Sequence, residues 1–453
     1  MIRRTGVAFI ALSLMMFLMA GYLLTVADGA QVVPKSKYDG KTNYSFAFEK
    51  SVPTLNPRWT FMLGQPADSF DGEGRAALAA NQVLFVKNDK LNASSPVTGR
   101  LLWSAGSKIR APLYVVGGAV YVSSQSNELF KFDARTGKSL WSHKYKLNAA
   151  LSDMVNSSAS FTVQSSGDLL LLRYAGMLVA LDASTGKQRW IWTDAESYTL
   201  DIFALPDLVL VPSERNSPAD GVVFHALQAK TGKRLWTLNG ANGPLLGIVN
   251  NRLLFEDLAA RTTKDKHEFK LAVIDRTNGK RLETRHFLPI SATAQDPLTA
   301  RAKQVSLYGA DLFIQSSAGS IYRFDVRVPG LKTPQPLTKR ANWIAGPHGG
   351  KLFFQKERFD GLLSVKTVNS SEWFYAGLDN PVSQMLLHQN GLYVAQTDGE
   401  LFAIDLTTGK PLFRYQSQSQ FFPTLQVDGG RLLVEAEDRF FTFELPAALL
   451  KNN

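Results

Sequence analysis

Apolar residues in this chain come in short runs rather than at helical spacing. Leu129-Phe130-Lys131-Phe132, Leu178-Val179-Ala180-Leu181, Leu271-Ala272-Val273-Ile274 and Leu401-Phe402-Ala403-Ile404 each stop at an Asp. Runs of this length, closed by turn residues, predict buried β-strands. A second run stands upstream. Val120-Tyr121-Val122-Ser123 precedes the Leu129 run, and Leu392-Tyr393-Val394-Ala395 precedes the Leu401 run; Leu352-Phe353-Phe354-Gln355 and Leu432-Leu433-Val434-Glu435 repeat the pattern elsewhere. No stretch after Ala27 keeps a helical period.

The residues after each run form a repeat. Asp133 to Lys138 leads through Thr136 and Gly137 to Trp141, and Asp182 to Lys187 leads through Thr185 and Gly186 to Trp190. Gln228 to Lys233, with Thr231 and Gly232, leads to Trp236. Asp275 to Lys280, with Gly279, leads to Glu283; Asp405 to Lys410, with Thr408 and Gly409, leads to Phe413. A weaker first copy, Thr98-Gly99-Arg100, precedes Trp103, and degenerate copies surround Asp325 and Trp373. The Asp side chain accepts backbone N–H bonds and so makes the turn. Gly supplies the positive φ of the reversal.

The copies recur roughly every 40–50 residues, the period of a four-stranded propeller blade. This period predicts an all-β propeller, each sheet burying its faces on its neighbours. Strand units number about nine, whereas propellers carry about 4–8 blades; eight is the expected count, with seven to nine admitted. Trp59 has no repeat before it, and Phe440-Phe441-Thr442-Phe443 has no Trp strand after it. The Trp59 strand is therefore expected to complete the last blade and close the ring, removing exposed edges.

The N-terminus breaks the pattern. Arg3 and Arg4 precede an uncharged apolar stretch from Gly6 to Ala27, about 22 residues and long enough to span a bilayer core. Residues 1–30 are read as a signal peptide or transmembrane anchor, the length favouring a retained anchor. The chain beyond would face outward, periplasmic or extracellular, and would be secreted if the segment is cleaved. Residues 31–57 read as a polar tether and 58–447 as the propeller.

Charge and composition narrow the partners. The net charge is +11, which favours anionic surfaces such as acidic polymers or lipid headgroups. Lys and Arg are spread without a basic run, so no nucleic-acid patch is expected. The chain has no cysteine, which excludes disulfides, thiolate metal sites, cysteine nucleophiles and a lipid-bearing cysteine.

The repeats resemble the tryptophan-docking motif of quinoprotein (PQQ-dependent) alcohol dehydrogenases, Ala-x-Asp-x-x-Thr-Gly-x-x-x-Trp. Ala180, Asp182, Thr185, Gly186 and Trp190 match it in full, Lys131 replaces the Ala before Asp133, and Ala403, Asp405 and Gly409 match the copy ending in Phe413. The resemblance implies that each Trp packs between adjacent blades, and that the motif is structural in enzymes and non-enzymes alike. The enzymes of the family hold PQQ and Ca²⁺ centrally, often beside a disulfide of adjacent cysteines, which this chain lacks. No calcium-ligand set or catalytic Asp stands out by motif. The non-enzymatic branch includes BamB-like outer-membrane assembly factors, which bind other proteins and are anchored through a cysteine.

Other candidate sites are weak. None of the six histidines lies in a His-Glu-x-x-His pattern, and His225, in a strand slot held by Phe130, Val179, Ala272 and Phe402 in sister repeats, reads as a blade-interface side chain. Asp71 to Ala77 looks like a glycine-rich loop but lacks the flanking strand and helix of a nucleotide site. Arg215 to Gly221 and Ala259 to Lys266 read as longer blade loops, the usual carriers of binding on a rigid scaffold. The expectation is a membrane-attached, non-catalytic binding or scaffolding protein for an envelope protein or anionic polymer. It has no assigned catalytic or metal residue and no cofactor. The alternative is a PQQ-dependent oxidoreductase with a cysteine-free site, the one reading that brings in PQQ and Ca²⁺.

Overall fold

The computed structural model describes residues 44–47, 52–63, 75–124, 128–144, 162–174, 177–193, 198–199, 202–214, 222–258, 268–289, 303–316, 319–328, 336–340, 342–356, 361–376, 378 and 380–452. The expected export segment 1–30, much of the tether, and the loops 215–221 and 259–266 lie outside them. Among the described residues no helix is long and apolar enough to cross a membrane. Apart from a 3-10 turn at Ala447–Leu450, the described elements are strands.

The third repeat shows why the sequence folds this way. Thr162–Ser166, Leu169–Tyr174, Met177–Asp182 and Gln188–Thr193 form an antiparallel sheet in chain order. The two middle strands are apolar almost without interruption because both their faces are covered: Leu170, Leu171, Leu178, Ala180 and Leu181 are fully buried. The outer strand alternates, with Trp190 buried between exposed neighbours. At the turn, Asp182 Oδ1 accepts N–H bonds from Ser184 (3.0 Å) and Thr185 (2.9 Å). Gly186 then takes a φ of 71°, where an L side chain would be strained.

Among the described residues eight hydrogen-bonded sheets form, as expected. One is double: the 16-residue strand Arg234–Val249 serves as outer strand of one repeat and inner strand of the next. Asn242, fully buried, is the pivot, pairing with Val222 on one side and Asp257 on the other. The repeats therefore span 76–105, 109–144, 162–193, 198–242, 242–289, 304–339, 342–376, 382–416 and 424–444, the upper end of the expected range. Nine hydrophobic clusters separate them, each shared by two neighbours.

The ring closes through Thr60–Met62, which pairs antiparallel with Arg439–Glu444. Trp59 then lies on the next turn: a Cβ on Gly99 would stand 2.9 Å from its Cδ2 atom, and its indole donates to Pro96 O at 3.1 Å. Part of the stretch assigned to the tether is not a free linker. Tyr44–Ala47 adds a fifth, parallel strand beside Glu372–Ala376. Further on, Leu55 N and Pro53 O bond both backbone groups of Arg414. The alternation Tyr44-Ser45-Phe46-Ala47 is the strand signal there, but it is too short to stand out beside the polar residues before it.

Candidate functional site

Each docking tryptophan lies against the turn of the next repeat. A Cβ on Gly186 would fall 2.6 Å from Trp141, and one on Gly232 or Gly279 would fall 2.6 Å from Trp190 or Trp236. The backbone must be bare there so that the ring can lie flat on it. The indole N–H then donates to the turn: Trp141 to Ala183 O (3.2 Å), Trp190 to Ala229 O (2.8 Å) and Trp236 to Arg276 O (3.1 Å). Trp103, lying on the turn of Gly137, donates to Gln82 Oε1 at 2.8 Å and Arg135 O at 3.1 Å. The turn carboxylates are held below the usual carboxylate range, Asp182 mainly by the Ser184 hydroxyl, Asp133 by Thr136 and Asp275 by Thr277. In the 382–416 repeat, Asp405 Oδ1 takes the N–H groups of Thr407 and Thr408. These residues build interfaces between repeats, not a reaction centre.

Two lysines enter the same interfaces. Lys131, in place of the motif's Ala, donates to Ala183 O at 2.6 Å alongside Trp141. Lys351 is only 5% exposed. It donates to Leu406 O and stands 4.0 Å over the Trp373 ring. Burial, aided by Lys366 nearby, lowers its pKa to about 7. Sequence reading missed it, because Lys351 opens a strand at a position that is ordinarily solvated.

The closing interface buries a second charge. Glu435 is 0% exposed and takes Arg75 Nε on Oε1 at 2.5 Å. Burial raises its pKa, opposed by the Arg75 guanidinium and the amides of Ala76 and Arg75. The partners stand 360 positions apart in the chain, so no local signal joins them.

The innermost strands line the central channel of a propeller. Here they are Ala76–Ala79, Ile109–Val116, Thr162–Ser166, Phe203–Ala204, Leu245 to Val249, Gln304–Tyr308, Asn342–His348, Val382–His388 and Thr424–Asp428. They carry a single carboxylate, Asp428, at the end of its strand. Their polar groups are chiefly amides that tie neighbours together: Gln426 Oε1 accepts Leu78 N (3.0 Å), and Gln384 Nε2 donates to Pro423 O (3.0 Å). Ca²⁺ requires about six to eight oxygen ligands, carboxylates prominent among them. The described inner strands do not fit that ion or a quinone held through it. Among the described residues no three His, Asp or Glu side chains gather to hold a metal. His225 is an interface residue: its Nδ1 lies 3.2 Å from Thr237 Oγ1 and its ring 5.4 Å from Trp192. His348 Nε2 meets Gln389 O at 2.8 Å.

Not every repeat supplies a docking tryptophan: the 242–289 repeat has Glu283 at that position, the 382–416 repeat has Phe413, and residues 304–339 contain no Trp. Glu283 faces Val273 in the register where Trp190 faces Ala180 and Trp236 faces Ala226. The next repeat keeps the turn Asp as Asp325 but continues Val326-Arg327-Val328-Pro329, without the Thr-Gly of its sisters. A cleft of about 220 Å³ opens there, lined by Arg252, Arg285, Arg327 and a floor that includes Leu254, Val273 and Val326.

The chain is similar to quinoprotein enzymes over about a third of its length. It is 26% identical over 167 residues to a quinohemoprotein alcohol dehydrogenase of Comamonas testosteroni, covering 34% of this chain and 23% of that one. It is 31% identical over 160 residues to the dehydrogenase subunit of a quinone-dependent alcohol dehydrogenase of Acetobacter aceti, covering 31% and 21%. The matches thus span about a quarter or less of those relatives. Among solved structures, BamB from Moraxella catarrhalis aligns with 86% of this chain and 97% of its own at 16% identity and a TM-score of 0.43. A europium-containing methanol dehydrogenase aligns with 84% of each chain at 13% identity and a TM-score of 0.45. The family described as outer membrane protein assembly factor BamB (PQQ_2) matches residues 52–196, 157–353 and 364–444. With its repeats covered almost from end to end, the chain belongs to that PQQ-like-repeat propeller family.

Proposed function

We propose that this chain is a non-catalytic propeller that binds a protein of the cell envelope, held at the membrane by residues 1–30. The observation that carries the reading is the chemistry of the inner strands. The described inner strands carry one carboxylate, Asp428, where a quinoprotein needs a carboxylate-rich ion site,. A rigid ring whose interfaces are filled by hydrocarbon and docked indoles suits display of loops and edges to a partner. The net charge of +11 favours an anionic partner surface or polymer in the envelope.

A PQQ-dependent oxidoreductase is the second reading, favoured by the quinoprotein alcohol dehydrogenases that share the repeats. One experiment separates the two. The purified protein is titrated with PQQ in calcium by calorimetry and then assayed for dye-linked alcohol oxidation. The binding reading expects neither stoichiometric uptake nor turnover, and expects in-cell crosslinking to capture an envelope protein. Tight uptake with turnover would replace it with the oxidoreductase.

A further inference from the structure

The cleft beside Glu283 has the shape of a missing side chain. In the preceding interfaces the residue after the turn Asp or Gln is buried or half-buried and bonded back to its own sheet: Ala183 N to Asp168 O (2.8 Å) and Ala229 N to Asp207 O (3.0 Å). Its carbonyl receives the indole of the previous repeat. Val326 occupies the same place, 1% exposed, with its N–H on Ala310 O at 2.9 Å. Across from it stands Glu283, whose carboxylate turns aside to Arg285 (Nε at 2.9 Å) and Arg252 (3.8 Å). The residue whose carbonyl receives an indole elsewhere is kept as Val326, while the glycine under the ring is replaced in sequence by Pro329 and the indole itself is gone.

We infer that this cleft receives an aromatic side chain, tryptophan above all, from an acidic segment of a partner protein. The size fits one large side chain: at about 220 Å³ the cleft lies below the roughly 300–1,000 Å³ of small-molecule pockets. The charge fits too. Three arginines, Arg252, Arg285 and Arg327, meet two carboxylates, Glu283 and Asp325, which leaves the rim cationic. Guanidinium groups at the rim can stack on an aromatic face and pair with flanking carboxylates. The ring must come from outside the adjoining chain, since residues 290–302 and 329–335 contain no Phe, Tyr or Trp.

This inference rests on the protein-binding reading, and its test is independent of that reading's. The full-length protein is titrated calorimetrically with the capped tripeptide Glu-Trp-Asp, and in parallel with Glu-Ala-Asp and Lys-Trp-Lys. Glu-Trp-Asp should bind at least about tenfold more tightly than either, since loss of the aromatic–guanidinium contact and of the charge match each removes about that factor. The double variant Val273→Ala, Glu283→Trp refills the seat and should raise Tm while abolishing peptide binding. Arg327→Ala should fold normally by circular dichroism and bind the peptide several-fold more weakly. Equal affinity for Glu-Trp-Asp and Glu-Ala-Asp would make the cleft a plain anion site and overturn the inference. So would undiminished binding in the refilled variant or in Arg327→Ala, or no binding at millimolar peptide. A partner crosslinked in cells through another face would leave the binding reading standing without this cleft.

Discussion

Replacing Lys351 by methionine should make the protein more stable at neutral pH, and the gain should fade in alkali. The ammonium is buried between the Trp373 ring and Leu406 O, and its pKa falls from the ordinary 10.5 to about 7. The unfolded chain keeps the ordinary value. Between these two pH values the unfolded state holds the extra proton, so stability rises with pH across that window. The sign is fixed: the contribution of the neutral amine is full above about pH 10.5 and is lost as pH falls through about 7,. The drop of pKa corresponds to ~5 kcal/mol across the window. Attraction to the indole face returns ~1–2 kcal/mol of it while the amine is charged. A net pH-dependent gain of ~3–4 kcal/mol from methionine, which fills the same volume without a charge, is therefore expected at pH 6.5. Urea unfolding of both proteins at pH 6.5, 8 and 9.5 measures it. The stability difference should shrink steadily by ~1.4 kcal/mol per pH unit above pH 7. A difference that stays constant with pH would refute the buried, depressed amine, and a less stable variant at pH 6.5 would show that the cation–indole contact dominates.

Trp190→Ala should cost ~3–5 kcal/mol, since the ring is 7% exposed and its N–H is bonded to Ala229 O; chemical denaturation reads this, and retained stability would sink the docking role. Gly186→Ala should destabilise by more than the ~1 kcal/mol of ordinary Gly replacements, because φ is 71° and the added carbon meets Trp141 at 2.6 Å. Glu435→Gln should steepen the acid limb of a Tm–pH curve: a raised carboxyl pKa means that the group's contribution is full below the unfolded value of about 4.3 and declines as pH rises through the folded one, a decline the amide lacks. An unchanged acid limb would show that Arg75 fully compensates the burial. Raising salt from 0.05 to 0.5 M should release the protein from envelope fractions, in line with screening of exposed charge; retention would argue for apolar contacts.

The propeller is legible in the sequence because its turns advertise themselves. Asp, Thr, Gly and the Trp four residues after Gly each answer a local need, and the need recurs in every repeat, so the pattern survives copies as worn as the one at Asp325. Even Lys131, a mismatch to the Ala of the motif, shares the indole's acceptor, Ala183 O. The count is harder, since Asn242 fuses two repeats into one sheet although Asn239-Gly240 and Asn242-Gly243-Pro244 read as turn residues in the sequence. The edge strand Tyr44–Ala47 escapes for another reason. It pairs with a strand more than 300 positions away, and four residues carry too little period to register.

Binding chemistry lies where the repeat fails, and that kind of site cannot be seen without the register. In the sequence, Glu283 is one substitution at the end of a good copy, and Val326 is a hydrophobe in a poor one. Neither signals a cleft. Only when Glu283 is paired with Val273 and Val326 is bonded to Ala310 do the two departures fall on opposite walls of one interface. A random loss of the docking indole would leave an apolar gap, which interiors fill by collapse at a cost. Here the rim instead carries three arginines, two of them bonded to the residue that replaced the indole. The interface is packed by Phe287 against Phe324 and by the aliphatic residues around them, so the charged rim is not needed to hold the repeats together, and a ligand that uses both the cleft and the rim accounts for its form.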